Sequence, residues 1–184
     1  MGIISNETFK RLFLLYTIGQ FKNGVYGKLR LNKIVYLILR KHPELIPFEF
    51  KHDRYGQHSD ELDTINEQLS YMSHTTAVPL EAGRGNRYAL EKKENMDFYK
   101  VVLGYISPKL KKAIDEIVVQ NGYLPEQDLR KKAYCDELFL KSEEGDILLK
   151  ENLPKKIKVD LSAEDCEDLA LSLDPKFIAA MRHM

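Results

Sequence analysis

Residues 28–41, KLRLNKIVYLILRK, carry the clearest helical pattern in the chain. Apolar side chains recur there at spacings of three and four, which places them on one face of a helix. They are Leu31, Ile34, Val35, Ile38 and Leu39. Arg40 and Lys41 end the segment, and basic side chains at that position interact favourably with the negative, C-terminal end of the helix dipole. We expect this apolar helix at the centre of the domain.

Two further helical patterns flank that segment. Residues 7–21 predict a helix with Asn6 as its N-cap. Residues 59–73 predict a third helix with Ser59 as its N-cap, followed by an acidic first turn of the kind that suits the positive end of a helix dipole. The three helices account for most of the apolar periodicity in the first half of the chain.

Short strands and turns separate these helices. Residues 48–51 alternate between apolar and polar like a strand, and residues 55–58 predict a turn. Residues 76–92 predict a hairpin with a glycine-rich tip, in which Pro79 indicates an edge strand. Three helices followed by a hairpin with a basic tip are in winged-helix order. We therefore predict an α+β, mostly α, winged-helix-like domain with additional C-terminal helices.

The second half of the chain predicts more helices and one polar stretch. Residues 95–121 and 124–134 have helical patterns, and Ser107-Pro108 is suited to start a new helix. The resulting domain assignment has three parts: a winged-helix-like domain at 1–140, a polar linker at 141–158 and an acidic amphipathic helical tail at 159–184.

Charge and cysteine content narrow the classes of function. The 28 basic and 28 acidic residues give a formal net charge of zero, whereas proteins that bind many phosphates usually have a basic excess. Cys135 and Cys166 lack CxxC spacing and predict neither a disulfide framework nor a zinc site. Patterns of a signal peptide or a membrane span are missing, so we expect a cytoplasmic protein without membrane contact.

Two segments resemble a known family. Residues 28–36, KLRLNKIVY, look like the KLQKLLY helix of the SocA-like antitoxin domain, also called Panacea, and of the related YwgA-type proteins. Residues 48–62, with Tyr55-Gly56 at their centre, resemble the family's strand, YGP turn and following helix, and differ at Gln57, where the family often has proline. The resemblance covers most of the first 140 residues. It implies a winged-helix-like fold, relatives that bind toxin proteins, and no catalytic residues.

The densest polar run lies between residues 52 and 60 and includes Arg54, Tyr55, His58 and Asp60. Histidine and carboxylate side chains suit a metal or acid–base site. The run lacks HExxH-type spacing, so we predict no metal, cofactor or catalytic residue. Two alternatives stay open: a turn that positions the next helix, and a protein-binding surface anchored by Arg54 and Tyr55.

The third helix and the tail supply further candidates for partner binding. The helix carries four carboxylates, among them Asp60 and Glu61, and no basic residue, so it suits a protein partner or a solvated face better than a phosphate backbone. Residues 151–184 have a net charge of −2. Of the apolar side chains in the tail, three are candidates for partner binding: Leu173, Phe177 and Ile178. It either binds a partner such as a toxin or packs on its own domain or on a second copy.

These candidates predict a non-enzymatic protein-binding module, antitoxin-like or a regulatory adaptor. The alternative is a DNA-binding winged-helix regulator, acting alone or as a homodimer. Its phosphate contacts would come from the basic start of the second helix and from the wing: Lys28, Arg30, Lys33, Arg84 and Arg87. The glycines beside Arg84 also suit a simple tight turn.

Overall fold

The computed structural model of the protein describes residues 1–83 and 85–182. Helices hold 56% of the chain and strands 17%, which confirms the predicted α+β, mostly α class. None of the helices in the described ranges has both the length and the apolarity needed to cross a bilayer.

The helices follow the predicted pattern closely. They are α1 (Asn6–Gly19), α2 (Lys28–Lys41), α3 (Asp60–Tyr71), α4 (Met96–Ile106), α5 (Pro108–Asn121), α6 (Glu126–Tyr134), α7 (Glu137–Leu140), α8 (Ala163–Ser172) and α9 (Pro175–Arg182). Ser59 caps α3 as expected, because its side chain accepts a hydrogen bond from the Leu62 amide. The cap of α1 was predicted one residue too late. Ser5, not Asn6, accepts the bond from the Thr8 amide.

The most enclosed helix is α1 rather than α2. Every residue of α1 from 8 to 18 is buried, including Lys10 and Arg11. Lys10 is neutralised by Glu61 and Glu151, two carboxylates that are remote in sequence. A buried charge is tolerated only when it is paired in this way. The apolar face of α2 predicted a central position for that helix, whereas the two basic residues of α1 give no sign in the sequence that they are buried.

The strands form three small antiparallel sheets. They are β1 (Gly2–Ser5), β2 (Val25–Tyr26), β3 (Phe50–Asp53), β4 (Gly56–His58), β5 (Thr75–Pro79), β6 (Asn86–Leu90), β7 (Ile147–Leu149) and β8 (Lys156–Val159). The sheet orders are β1-β8, β2-β6-β5 and β4-β3-β7. The predicted hairpin is β5-β6, with Val78 opposite Arg87, and Pro79 lies on the edge strand β5. The hairpin packs against α1 and α3.

The prediction of a polar linker at 141–158 is wrong, because two strands lie within it. β7 pairs with β3, and β8 pairs with β1 so that Ile4 lies opposite Ile157. Leu148, Leu149 and Ile157 are buried. In KIKV the apolar residues alternate with lysines that face outward, so a two-sided strand was mistaken for a charged loop.

The tail folds back on its own domain. Leu169 and Leu173 of the C-terminal segment join the main core, and Cys166 packs beside β1 near Gly2. α9 is attached more loosely than α8, since none of its described residues is buried. Of the two alternatives for the tail, packing on its own domain therefore holds for α8.

The segment around residues 48–58 also differs from the prediction. The strand predicted at residues 48–51 is β3, which begins at Phe50 rather than at residue 48. Residues Gly56–His58 form strand β4 instead of a turn. The turn is limited to Arg54 and Tyr55, because Asp53 already pairs with Gly56. Gly56 has a φ of +101°, and a side chain there would collide with Tyr134. That close approach lets the turn lie against α6.

Candidate functional site

The Arg54–Tyr55 turn is exposed at its tip and anchored at its base. The Arg54 guanidinium lies 5.6 Å from the centre of the exposed Tyr55 ring. The Tyr55 carbonyl oxygen accepts hydrogen bonds from Lys33 Nζ at 3.1 Å and from the Tyr134 hydroxyl at 2.9 Å. The structure thus holds these two predicted anchors in place from below and leaves their side chains accessible.

The other predicted residues of this end are partly engaged in internal contacts. His58 Nε2 lies 3.1 Å from Asp60 Oδ1. Glu61 accepts a hydrogen bond from Lys10 Nζ at 2.5 Å, so its charge is used inside the fold. Glu61 is therefore a poor candidate for partner contact, whereas Asp60 remains exposed.

The His52–Ser142 pair is the nearest approach to a catalytic arrangement in the polar run. His52 Nδ1 lies 2.8 Å from Ser142 Oγ. The Ser142 hydroxyl donates to the Phe139 carbonyl oxygen at 2.8 Å, so His52 must act as the donor to Ser142. A histidine in that role cannot activate the serine as a base. Within the described residues, no group of three or more His, Cys, Asp or Glu side chains has a geometry that suits a metal ion.

The basic start of α2 is largely neutralised. Lys28 forms ion pairs with Asp63 and Glu67 of α3. Arg30 donates to the Gly122 carbonyl oxygen at 2.9 Å, and burial lowers the pKa of its guanidinium. The charge of Lys28 is thus offset by two carboxylates, and the charged Arg30 guanidinium is held by an internal carbonyl group, which disfavours phosphate contact by either residue.

Lys33 is also a poor phosphate contact for the DNA-binding alternative, because its side chain is buried. Only 1% of Lys33 is exposed, and its Nζ lies 4.8 Å from the centre of the Tyr134 ring. Burial, together with the nearby charge of Arg130, lowers the pKa of Lys33 to about 8. Of the two wing residues, Arg87 is half-buried on β6 and Arg84 lies outside the described residues.

A large cavity lies at the opposite end of α3, where the tail meets the hairpin. It is an open groove of about 790 Å³. From Asp60 to Tyr71, α3 runs roughly 16 Å at 1.5 Å per residue, so the structure separates the predicted binding residues into two groups. The groove is lined by the α3–β5 corner, the end of β6 and helices α4, α8 and α9: Met72, Ser73, His74, Glu91, Lys92, Asn95, Phe98, Tyr99, Asp165, Asp168, Leu169, Ser172 and Ile178.

An exposed apolar stripe runs along α4 from this groove. Phe98, Val101 and Tyr105 are 42%, 48% and 54% exposed. Their spacing of three and four residues places them on one side of the helix, while Tyr99, Val102 and Leu103 fill the opposite, buried side. Large apolar side chains that stay exposed together on one surface mark an interaction site. We call these three residues the α4 stripe.

The sequence of α4 contains a signal for this stripe that helical periodicity alone does not single out. The segment Met96–Ile106 is apolar on more positions than one buried face requires. Helices that are apolar on two sides are either enclosed by neighbours or bind a partner. Here neighbours cover only one side.

The three tail residues that were predicted to bind a partner differ in their burial. Leu173 is 1% exposed and belongs to the core, so its assignment to partner binding is wrong. Its position directly after α8 places it against the domain, which the apolar spacing alone does not reveal. Ile178 lines the groove and is half-buried, and Phe177 is exposed on α9. The last two keep their role as candidates.

Acidic side chains surround the groove. Glu91, Asp165 and Asp168 line it against a single lysine, Lys92. His74 Nε2 donates to the Ser172 carbonyl oxygen at 2.6 Å, and burial lowers the pKa of its imidazole, so this side chain is neutral at pH 7. Neither Asp165 nor Asp168 has an ion-pair partner within 4.0 Å in the part of the chain that the structure describes.

Comparison with models of protein families, with curated proteins and with solved structures found no match to this chain. Its function is therefore argued from the groove, the α4 stripe and their charges.

Proposed function

We propose that this chain is a cytoplasmic, non-enzymatic protein-binding module, antitoxin-like or a regulatory adaptor, and that it docks its partner at the groove and the α4 stripe. The observation that carries the proposal is the exposed α4 stripe beside the groove. Phe98 belongs to both features, so the two form one continuous surface.

The energetics of the α4 stripe support a docking role. Burying a large apolar side chain fully contributes about 1.5–3 kcal/mol. The three side chains of the stripe are about half-exposed, so covering them contributes roughly 3 kcal/mol in total. That is a useful share of a micromolar binding free energy of about 8 kcal/mol. Two of the three are aromatic, the type of residue that dominates binding hot spots.

The resemblance to SocA-like antitoxin domains favours a protein partner, and the charges favour it over DNA. Three of the five cations of the DNA-binding alternative are paired, buried or engaged with carbonyl groups: Lys28, Lys33 and Arg30. The groove itself is acidic and would repel phosphates. The Arg54–Tyr55 turn remains a second accessible surface at the far end of α3.

Site-specific photocrosslinking tests the proposal. Val101 is replaced by p-benzoylphenylalanine, and the full chain is irradiated in nuclease-treated lysate of its native host. Crosslinked proteins are identified by mass spectrometry, then purified and titrated against the wild-type chain and Phe98→Ser. We expect one defined partner, whose affinity falls at least tenfold in Phe98→Ser, because truncated hot-spot aromatics usually cost at least about 2 kcal/mol.

The matched control carries the same crosslinker at Val119 of α5. Val119 is 80% exposed and lies outside the lining residues of the groove. The proposal fails if positions 101 and 119 give the same crosslinked proteins, or if the purified partner binds Phe98→Ser as tightly as it binds the wild type. Circular dichroism of Phe98→Ser checks that the half-exposed position leaves the fold intact.

A further inference from the structure

Resting on the proposed function, we infer that the occupant of the groove is an amphipathic helix with lysine or arginine along its polar edge. Its apolar face would cover Phe98 and Ile178, and its basic edge would face α8.

The charge of α8 is the first argument. Four carboxylates lie on ten residues of this helix, and α8 contains no basic residue. They are Glu164, Asp165, Glu167 and Asp168. None of them forms an ion pair within 4.0 Å among residues 1–83 and 85–182. Uncompensated charge of one sign at a groove selects partners of the opposite sign and steers their approach.

The dimensions and lining of the groove are the second argument. A helix about 10 Å wide fills roughly 400 Å³ per turn, so a volume of about 790 Å³ accommodates about two turns. Two turns present apolar anchors at positions i, i+3, i+4 and i+7, which is the pattern of helix-in-groove recognition. Phe98 and Ile178 supply the accessible apolar contacts of the groove, and the buried side chains of Met72, Leu169 and Tyr99 form its floor.

The same charges argue against a second copy of this chain as occupant. A two-fold dimer places the same surface patch of both copies in contact. If the groove lay at such an interface, the carboxylates of one α8 would face those of the other. Like charges that meet across an interface weaken binding by several kcal/mol. A basic partner would instead be attracted by the same carboxylates of α8.

Three fluorescent peptides test the inference, each about 18 residues long so that helix formation is possible. The Lys peptide has leucines at i, i+3, i+4 and i+7 and lysines elsewhere. The Glu peptide replaces the lysines by glutamates, and the scrambled peptide has the composition of the Lys peptide without its periodicity. Fluorescence anisotropy with the full chain, at an ionic strength of about 0.15 M, measures each Kd.

We expect the Lys peptide to bind at least tenfold more tightly than both other peptides. The double variant Asp165→Asn with Asp168→Asn should weaken it roughly threefold to tenfold, as expected for two exposed ion pairs. The matched control, Glu143→Gln with Glu144→Gln, changes the net charge equally at exposed positions outside the groove and should leave the affinity unchanged.

Two results would overturn the inference: equal binding of the Lys and scrambled peptides, or equal weakening by the two double variants. Either one would show unspecific attraction of cations instead of docking of a helix. If crosslinking at position 101 still identifies a partner sensitive to Phe98→Ser, the proposed function stands and only the chemistry of the occupant is refuted. If that crosslink is missing as well, both fall.

Discussion

Replacing Lys33 by methionine should stabilise the protein, and the gain should disappear at high pH. Lys33 is buried and forms no ion pair within 4.0 Å among the described residues, and its pKa is lowered from 10.5 to about 8, mainly by burial. A shift of this size corresponds to about 3 kcal/mol of unfavourable free energy for the buried charge at pH 7. Methionine keeps the apolar stem and removes the charge. It also removes one hydrogen bond of about 1 kcal/mol, so we expect a net gain of about 2 kcal/mol.

The pH dependence gives the sharper test of the same substitution. The folded pKa of Lys33 lies below the unfolded one, so the unfolded chain binds more protons between pH 8 and 10.5. Over this window the wild type therefore gains stability with rising pH, by about 1.2 kcal/mol per pH unit near pH 9 relative to Lys33→Met. Below pH 8 the difference between the two proteins should be constant.

Urea denaturation followed by circular dichroism at pH 7, 8, 9 and 10 measures both effects. Lys109→Met, at an exposed position without an ion pair among the described residues, is the matched control and should run parallel to the wild type. The reasoning is refuted if Lys33→Met also runs parallel to the wild type from pH 8 to 10. It is refuted as well if Lys33→Met is less stable than the wild type at pH 7.

Three further substitutions have expected outcomes of different sign. Lys10→Met should lower the free energy of unfolding by about 2 kcal/mol in urea titrations, since Glu61 and Glu151 would face each other without a cation. Asn66→Leu should raise the free energy of unfolding by about 1 kcal/mol, because both polar atoms of the buried Asn66 amide lack a partner among the described residues. A higher midpoint of thermal unfolding would show this gain. Burial lowers the pKa of His74, so acidification below pH 6.5 favours the unfolded chain. The stability difference between wild type and His74→Gln should therefore shrink from pH 7.5 to 5, and a constant difference would contradict this.

The elements that sequence patterns predicted well are those specified by local interactions. α2 and α6 begin and end close to the predicted residues, because their apolar periodicity and flanking turn residues lie within the segments themselves. The hairpin β5-β6 was predictable for the same reason, since its strands are separated by only a few turn residues. Local pattern thus accounts for most of the helical scaffold.

The elements that the sequence did not reveal depend on distant partners. Lys10 looks like a surface residue until Glu61 and Glu151 are brought to it from 51 and 141 residues away. Strands β7 and β8 are only three and four residues long, and each is defined by pairing with a strand in the first third of the chain. Lys33 was read as a surface cation for the same reason.

The candidate site was half predictable. Phe177 and Ile178 were named from the apolar spacing of the tail, and both lie at or near the groove. Phe98 was missed because one buried face sufficed to explain α4 as a helix. The rest of the groove around Phe98 is formed by α8 and the α3–β5 corner, and only the tertiary fold brings these elements together.

The pairing of β1 with β8 has a consequence for biosynthesis. At about 5–20 residues per second, roughly 8–30 seconds pass between translation of Ser5 and of its pairing partner Lys156. Glu151, which neutralises Lys10, also leaves the ribosome late. Until then the first strand has an open edge, and Lys10 of the nascent α1 lacks one of the two carboxylates that neutralise it. An unfinished chain therefore offers chaperones and proteases the very helix that the finished protein encloses most completely.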